Sequence, residues 1–254
     1  MKNKDSHIEQ QNFYTKTFEA IDVNRRETIL NAACAEFANK GFNGAGIKSI
    51  ARKANISIGS LYSYFPSKEN LFLALADQGQ ALLEKAYSDI DLNASVFEIY
   101  RSFLYKICQY AKTNPELNLI YLEATTQGLR HLAKRLSGDF ETAGVKLYKK
   151  IIAIAIRRGE LRADIDPGTI AFFLDNLIVM LQFSLISDYQ QNRLRIFIGL
   201  DEDEPIDEDL IIDKLLDFVR RAVGKGPQPH GTVKKQEKTN VNLLADKPHN
   251  SKAR

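Results

Sequence analysis

Residues 57–63, Ser-Ile-Gly-Ser-Leu-Tyr-Ser, place hydroxyl groups, an aromatic ring and a glycine in one short segment. Serine and tyrosine hydroxyls hydrogen-bond phosphate oxygens and base edges. Gly59 has no side chain, so the backbone can approach a ligand closely there. The segment contains no acidic residue, so no carboxylate in it repels an anion. These residue types indicate contact with nucleic acid.

The charge around this segment favours the same ligand. Between residues 24 and 70 there are seven Lys or Arg and three Glu, which gives a net charge of +4. Basic side chains bind DNA largely by displacing counterions from its phosphates. The whole chain carries only +3, so the placement of the basic residues is more informative than their number.

A long helix is predicted before this segment. Apolar residues recur every four positions between residues 29 and 37, as on one face of a helix. Asn24 and Glu27 have the spacing of a capping box at its start, with Asn24 as the cap. Gly41 is typical of a residue just past a helix end.

Two short helices and the start of another follow. The first covers residues 47–54, and Asn55 ends it by entering the left-handed region or by turning the chain. Ser57 is a suitable cap for a helix over residues 58–64. Ser67 can cap a further helix that begins at the next residue. Two short helices about three residues apart, after a longer one, match a helix-turn-helix unit.

Residues 40–72 read KGFNGAGIKSIARKANISIGSLYSYFPSKENLF. This stretch resembles the N-terminal domain of the TetR/AcrR family of bacterial transcription repressors. The Gly-Phe turn, the Ile-Ala pair of the second helix and the pattern Gly-x-Leu-Tyr-x-Tyr-Phe-x-Ser-Lys-Glu-x-Leu occur in order. The resemblance implies an all-α protein: an N-terminal three-helix helix-turn-helix DNA-binding domain and a C-terminal helical ligand-binding and dimerisation domain.

The resemblance also implies which residues contact DNA. The residues that face the major groove are Ser57, Ile58, Gly59 and Ser60. Those that contact phosphates are Tyr62, Tyr64 and Lys68. Lys48 reads a base or a phosphate. Other interpretations remain open for some of these positions. Tyr64 could belong to the core beside Phe65, Ser57 could serve first as a helix cap, and both lysines could be ordinary solvated charges.

One departure from the family pattern precedes the second short helix. The family usually has Thr-Thr or Ser-Thr there, whereas this chain has Ala45 and Gly46. Loss of a hydroxyl cap costs about 0.5–2 kcal/mol if alanine is the cap, and less if glycine is. One phosphate contact of the family is therefore in doubt.

The remaining chain is predicted to be helical, and we divide it by composition. Residues 1–23 are expected to form a flexible arm with a turn or two of helix near 14–21. Residues 24–70 are the DNA-binding domain, and residues 71–223 the effector-binding and dimerisation domain. Residues 224–254 have seven Lys or Arg against two acids and are predicted to be a disordered basic tail.

The second domain should contain both a dimer interface and a pocket. By resemblance, residues 169–188 and 210–223 mediate dimerisation. The apolar part of 169–188 is too short to cross a bilayer, so a buried or partner-packed helix is expected. The candidate pocket residues are Phe103, Tyr121, Glu123, Phe172, Phe173 and Phe183. They suggest an apolar or aromatic effector, although each aromatic residue could be ordinary core and the glutamate could be a surface residue.

We therefore predict a ligand-responsive repressor that binds a palindromic DNA operator as a homodimer. Cys34 and Cys108 fall in helical apolar patterns and are expected to be buried thiols of a reducing cytoplasm. We recognise no secretory signal, no metal-ligand spacing, no catalytic set and no cofactor motif. Two alternatives remain open: a DNA-binding adaptor without an effector, and an all-helical enzyme whose chemistry is not apparent.

Overall fold

Residues 13–125, 130–201 and 204–226 are described by a computed structural model, with side chains described outside 126–143. This part of the chain contains eleven α-helices, and its one β-type pairing is an isolated bridge between Leu161 and Gly224. The all-α prediction is confirmed. The helices are α1 Lys16–Ala20, α2 Val23–Gly44, α3 Ile47–Lys53, α4 Ile58–Tyr64, α5 Lys68–Tyr87, α6 Val96–Thr113, α7 Pro115–Thr125, α8 Arg130–Arg157, α9 Pro167–Ile186, α10 Asp188–Ile198 and α11 Glu208–Val223.

The start of α2 differs from the prediction. Asp22 is the cap, and its carboxylate accepts hydrogen bonds from the backbone N–H groups of Asn24 and Arg25. Asn24 is therefore not the cap, because a carboxylate two residues earlier already satisfies the first N–H groups of the helix. The helix breaks at Gly41, which has φ 67° and ψ 171°, and one more turn continues to Gly44.

The turn and the two helices after it follow the prediction closely. Asn55 has φ 52°, so it ends α3 in the left-handed region. The Ser57 hydroxyl accepts a hydrogen bond from the Ser60 backbone N–H at 2.9 Å and caps α4. Ser67 caps α5 in the same way, through the Asn70 N–H at 3.1 Å. Gly46 caps α3 without a side-chain hydrogen bond, as expected from the missing hydroxyl.

A first hydrophobic core joins α1 to α5 with part of α7. Phe37, Leu61 and Phe72 lie at its centre with at most 1% exposure. Ile120 and Ala124 of α7 are buried in the same core. Residue 70 therefore does not separate two independent cores, since α7 lies far beyond it in sequence yet completes the first one.

The segment just before α2 is packed and not a flexible arm. Phe18 of α1 is buried and its ring lies 4.6 Å from that of Phe65. The Thr15 hydroxyl donates to the Ser63 carbonyl at 2.7 Å. The predicted arm is thus wrong for residues 13–22, because two aromatic residues there find apolar partners. Residues 1–12 lie outside the described part of the chain.

A second core is built from α6, α8, α9 and α11. Gly138 does not end a helix, because α8 runs through that position and is 28 residues long. One glycine inside a helix costs about 1 kcal/mol relative to alanine, which is not enough to end a long helix. The observed end is Gly159, with φ 72°.

Helix α9 is stabilised at its start by Asp166, whose carboxylate accepts from the Thr169 N–H at 2.8 Å. By length and composition alone it is a candidate membrane span. It instead packs against α6, α8 and α10, with one face buried in the second core. The short helix after it, α10, ends at Gly199 with φ 74°.

The last helix, α11, begins at Glu208. The Asp207 carboxylate caps it by accepting from the Leu210 N–H at 3.0 Å. Beyond Val223, Lys225 donates its backbone N–H to the Glu160 carbonyl, so the first residues of the predicted tail are paired. Residues 227–254 lie outside the described part of the chain.

Candidate DNA-binding surface and effector cavity

One face of α4 points into solvent. Ile58 and Tyr62 are 42% and 48% exposed, although both are large hydrophobic side chains. Ser57, Gly59 and Ser63 are exposed on the same helix. The opposite side holds the helix to the first core, where Leu61 is buried. This arrangement presents hydroxyl, aromatic and bare backbone groups together, as a recognition helix requires.

Two other predicted contacts of α4 are partly engaged within the protein. Ser60 is half-buried, and its hydroxyl lies 2.8 Å from that of Ser57. Tyr64 is half-buried against the first core, with its ring 5.8 Å from Phe18. Tyr64 therefore helps hold α1 against α4, and its phosphate contact remains a prediction.

The two predicted lysines differ in their surroundings. Lys48 is exposed on α3, as a DNA contact would be. Lys68 is half-buried, and its ammonium group donates to the Ala45 carbonyl at 2.6 Å and to the Asn43 carbonyl at 3.3 Å. It also lies 5.0 Å from the centre of the Phe42 ring. Lys68 thus links the start of α5 to the turn before α3 and positions that helix.

A buried carboxylate that the sequence reasoning did not single out holds α2 and α3 together. The Glu36 side chain is fully buried and accepts hydrogen bonds from Lys40 and Lys53, each at 2.7 Å. It also accepts from the Ser49 hydroxyl and, more weakly, from the Gly46 N–H. These bonds, chiefly those from the two lysines, lower the pKa of Glu36 from 4.5 to about 2.

This carboxylate has two consequences for DNA binding. It accepts from the N-terminal turn of α3 where a Ser or Thr cap is missing, so it replaces part of that stabilisation. It also pairs with two of the seven basic residues counted for the domain. Lys40 lies four positions after Glu36, which places the two side chains on the same face of the helix. That spacing is the sequence signal that could have identified the pair.

Two glycines show opposite constraints. A Cβ on Gly59 would lie 3.7 Å from the Ser57 hydroxyl oxygen, which is an ordinary contact. Nothing inside the described protein therefore requires glycine at this position. A Cβ on Gly41 would lie 2.9 Å from the Glu123 carboxylate, and the φ of 67° excludes most side chains as well.

Glu123 is not among the residues that line the cavity described below, contrary to the prediction. Its carboxylate accepts a hydrogen bond from the Phe42 backbone N–H at 2.6 Å, directly after the break at Gly41. Glycine at the break is what lets the carboxylate approach so closely. The residue belongs to α7, so this bond ties that helix to the turn between the first helices of the DNA-binding unit.

A cavity of about 710 Å³ lies among α5 to α9. Three predicted residues line it: Phe103, Tyr121 and Phe172. Phe173 is not among the lining residues and is 61% exposed beside Phe172. Phe183 is also not a lining residue; it is buried, with its ring 6.0 Å from Tyr121. Consecutive phenylalanines on a helix cannot share one face, which explains why only one of them reaches the cavity.

The cavity also has polar lining residues that sequence reasoning missed. Tyr148 of α8 and Asp175 of α9 both line the cavity. Burial and the Asp175 charge raise the pKa of Tyr148. Gln182, another lining residue, donates to Asn118 of α7. The acid in the apolar run of α9 was the available signal, since a carboxylate there needs a polar partner or a cavity.

The two cysteines are not nucleophiles of this site. Cys108 is buried and Cys34 is half-buried, and both are free thiols. Burial raises the pKa of each thiol to about 12, so neither forms an appreciable thiolate near neutral pH. Within the described ranges there is no group of three His, Cys, Asp or Glu side chains that could hold a metal ion.

Residues 29–75 match the family described as bacterial regulatory proteins, tetR family. Over 154 residues the chain is 29% identical to RutR, an HTH-type transcriptional regulator of Escherichia coli strain K12. That alignment covers 59% of this chain and 70% of RutR. It is 28% identical over 142 residues to NicS, an HTH-type transcriptional repressor of Pseudomonas putida, covering 55% of this chain and 67% of NicS.

The fold is also similar to that of a solved transcriptional regulator. Bacillus subtilis FadR, a transcriptional regulator in complex with stearoyl-CoA, superposes with a TM-score of 0.61. The alignment covers 76% of this chain and 96% of FadR at 17% identity. This likeness extends the shared fold well beyond the DNA-binding unit.

Proposed function

Because this chain belongs to the TetR family of bacterial regulatory proteins, we propose that it is a cytoplasmic repressor. It binds a palindromic operator as a homodimer, and a small molecule in the cavity releases it. The observation that supports this most directly is the exposed face of α4, with Ile58 and Tyr62 in solvent beside Gly59. The proposal assigns no catalytic step to the protein.

In this proposal α4 enters the major groove. Ser57, Ile58, Gly59 and Ser60 face base edges, and Tyr62 donates its hydroxyl to a phosphate. Lys48 contacts a base or a phosphate from α3. Lys68 acts mainly by holding the turn before α3 through the Ala45 carbonyl, and Tyr64 by holding α1.

A second copy of the chain supplies the other half-site. Helix-turn-helix proteins that read palindromes do so as two-fold dimers, because the half-site spacing mirrors the symmetry of the protein. Phe173 and Met180 are exposed seven residues apart on α9, and Leu210 and Phe218 are exposed on α11. We assign these apolar side chains to the dimer interface.

Two helices connect the cavity with the DNA-binding unit. Helix α5 begins at Lys68, and its C-terminal half contributes Leu83 and Tyr87 to the cavity. Helix α7 contributes Tyr121 to the cavity and bonds the Phe42 N–H through Glu123. An effector that fits better when these helices have shifted would move α4 away from the operator geometry, by its difference in affinity for the two states.

The cavity favours an effector with a substantial apolar body. Its lining is mostly aliphatic and aromatic, including Phe103, Ile107 and Ile178. A volume of about 710 Å³ is in the range of pockets that hold drug-sized ligands. The solved FadR complex with stearoyl-CoA is a case in which a protein of this fold holds a molecule with a long apolar chain.

Selection from random double-stranded DNA followed by anisotropy titration tests the proposal. We expect one near-palindromic site, one dimer bound per site, and affinity that falls steeply as salt rises. Tyr62→Ala should weaken binding at least about tenfold, as loss of a phosphate contact and its packing would do. Tyr189→Ala removes a more exposed tyrosine on α10 and should change nothing. Binding without sequence preference would instead indicate an adaptor, and no binding would refute the proposal.

A further inference from the structure

Three aromatic side chains in contact with one another form one wall of the cavity. The rings of Tyr87 and Phe103 are 4.8 Å apart in an edge-on arrangement, and Phe103 lies 5.6 Å from Tyr148. All three residues line the cavity together with Asp175. They come from α5, α6, α8 and α9, so this wall is a product of the tertiary fold.

The carboxylate of Asp175 belongs to this wall. Burial and the nearby Asp175 charge raise the pKa of both the Tyr148 and the Tyr87 phenols, so the carboxylate lies close to both rings. Tyr87 and Tyr148 are deep in the protein but keep accessible surface, because that surface faces the cavity. A ligand in the cavity would therefore meet a carboxylate framed by aromatic rings.

The charges that line the cavity also favour a positively charged ligand group over a negative one. Among the lining side chains that the structure describes, two are acidic, Glu84 and Asp175, and one is basic, Lys149. Glu84 and Lys149 are exposed, whereas Asp175 is only partly accessible. Of these three described charges the least exposed is therefore negative, and an anionic ligand group placed beside it would be repelled.

We propose that the cavity takes organic cations: molecules with an apolar or aromatic body and a positively charged ammonium or related group. The positive group lies against the Asp175 carboxylate and the faces of Tyr87, Phe103 and Tyr148. A carboxylate attracts the charge, and aromatic faces attract cations through their quadrupoles. This inference rests on the proposed effector cavity and narrows its ligand by charge.

A pair of ions with the same shape and opposite charge tests it. Tetraphenylphosphonium and tetraphenylborate differ in sign but have nearly the same size and apolar surface. We expect calorimetric titration of the full chain, without DNA, to show tighter binding of the phosphonium by at least about tenfold. Dodecyltrimethylammonium and dodecanoate form a second pair with an extended shape, which removes dependence on a single geometry.

Variants of the wall identify the charge responsible. Asp175→Asn keeps the shape of the side chain but removes its charge, and it should weaken phosphonium binding at least about tenfold while leaving the borate unchanged or tighter. Glu84→Gln removes an exposed acid at the same cavity and should have little effect. Thermal unfolding of both variants shows whether the fold is retained.

The outcomes separate this inference from the proposed function. Equal binding of both signs, no binding of either cation, or an Asp175→Asn variant with undiminished cation binding would overturn the cationic assignment. None of these results would affect operator recognition, which is measured without any effector. Loss of operator binding with intact cation preference would refute the repressor and leave the cation site in place.

Discussion

The two cores of this protein differ in what their interiors contain. The first core, which carries α4, is closed by side chains in mutual contact, and Phe37, Phe65 and Phe72 are almost completely buried in it. The second core borders a cavity of about 710 Å³ with a carboxylate on its wall. The first half presents the predicted DNA-binding groups of α4 to solvent, whereas the second places polar groups around an internal cavity.

This contrast suggests a division of labour between the halves. A closely packed interior transmits strain and keeps one geometry, which suits a surface that must match DNA. A half with internal space can adjust around a ligand, which suits an effector site. Helix α7 belongs to both, since Ile120 is buried in the first core while Tyr121 faces the cavity. Substitutions in each region test this division.

The largest effect is expected at the break in α2. Gly41→Ala would force a side chain into φ 67° and push a Cβ to 2.9 Å from Glu123. The strained backbone together with the displaced carboxylate should lower the free energy of unfolding by about 3–5 kcal/mol. Chemical denaturation measures this change.

Gly44→Ala is the matched control for that substitution. It lies one turn further on, where an added Cβ would be 3.5 Å from the nearest side-chain atom and φ is not positive. It should change the free energy of unfolding by about 1 kcal/mol at most. Equal effects of the two variants would show that the joint at residue 41 is not strained.

A smaller loss is expected inside the first half. Glu36→Gln keeps the shape but removes the charge that Lys40 and Lys53 pair with, and should lower the free energy of unfolding by about 1–3 kcal/mol. Because folding lowers the pKa of Glu36 from 4.5 to about 2, its stabilisation is present above pH 4.5 and is lost as the pH falls towards 2. Denaturation curves between pH 2 and 6 should therefore converge for wild type and variant at low pH.

Glu27→Gln tests whether that pH dependence is specific. Glu27 is exposed on the same helix, so its substitution should leave the curves nearly unchanged. If the wild type and Glu36→Gln curves remained parallel down to pH 2, the buried carboxylate would not be the titrating group.

A substitution in the contact between the two halves should lower the free energy of unfolding less than those at Gly41 and Glu36. Glu123→Ala removes the bond to the Phe42 N–H and should lower the free energy of unfolding by about 1–2 kcal/mol. Operator affinity without effector should stay within about threefold, whereas release of DNA by a bound organic cation should require more ligand. Glu116→Ala, exposed on the same helix, is the control. Normal release by Glu123→Ala would exclude this bond from the coupling.

Local chemistry made the DNA-binding unit predictable from sequence. Ser57 caps α4, Asn55 takes the left-handed turn, and α4 has the predicted bounds, because each feature depends on residues within one turn of it. Glu123 was misassigned because its partner, Phe42, is 81 positions away and no local pattern connects them. Phe183 and Phe173 were misassigned because aromatic composition does not tell which side of a helix meets a cavity.

Long-range contacts likewise explain what sequence reasoning missed. The wall around Asp175 draws on four helices, and only the fold brings Tyr87, Tyr148 and that acid together. The segment that contains α1 was expected to belong to a flexible arm because residues 1–23 are mostly polar, yet Phe18 packs against Phe65, nearly fifty residues later. Helix periodicity gives the apolar face of each element but not its neighbours.

The most direct measurement is the operator affinity of Gly59→Ala compared with wild type in an anisotropy titration. An added methyl group meets no obstacle within the protein, so the free energy of unfolding should change by about 1 kcal/mol or less. If α4 lies against the groove, the same methyl group should weaken operator binding at least about tenfold, as loss of a specific base contact would. An unchanged affinity in a normally folded Gly59→Ala dimer would contradict the account.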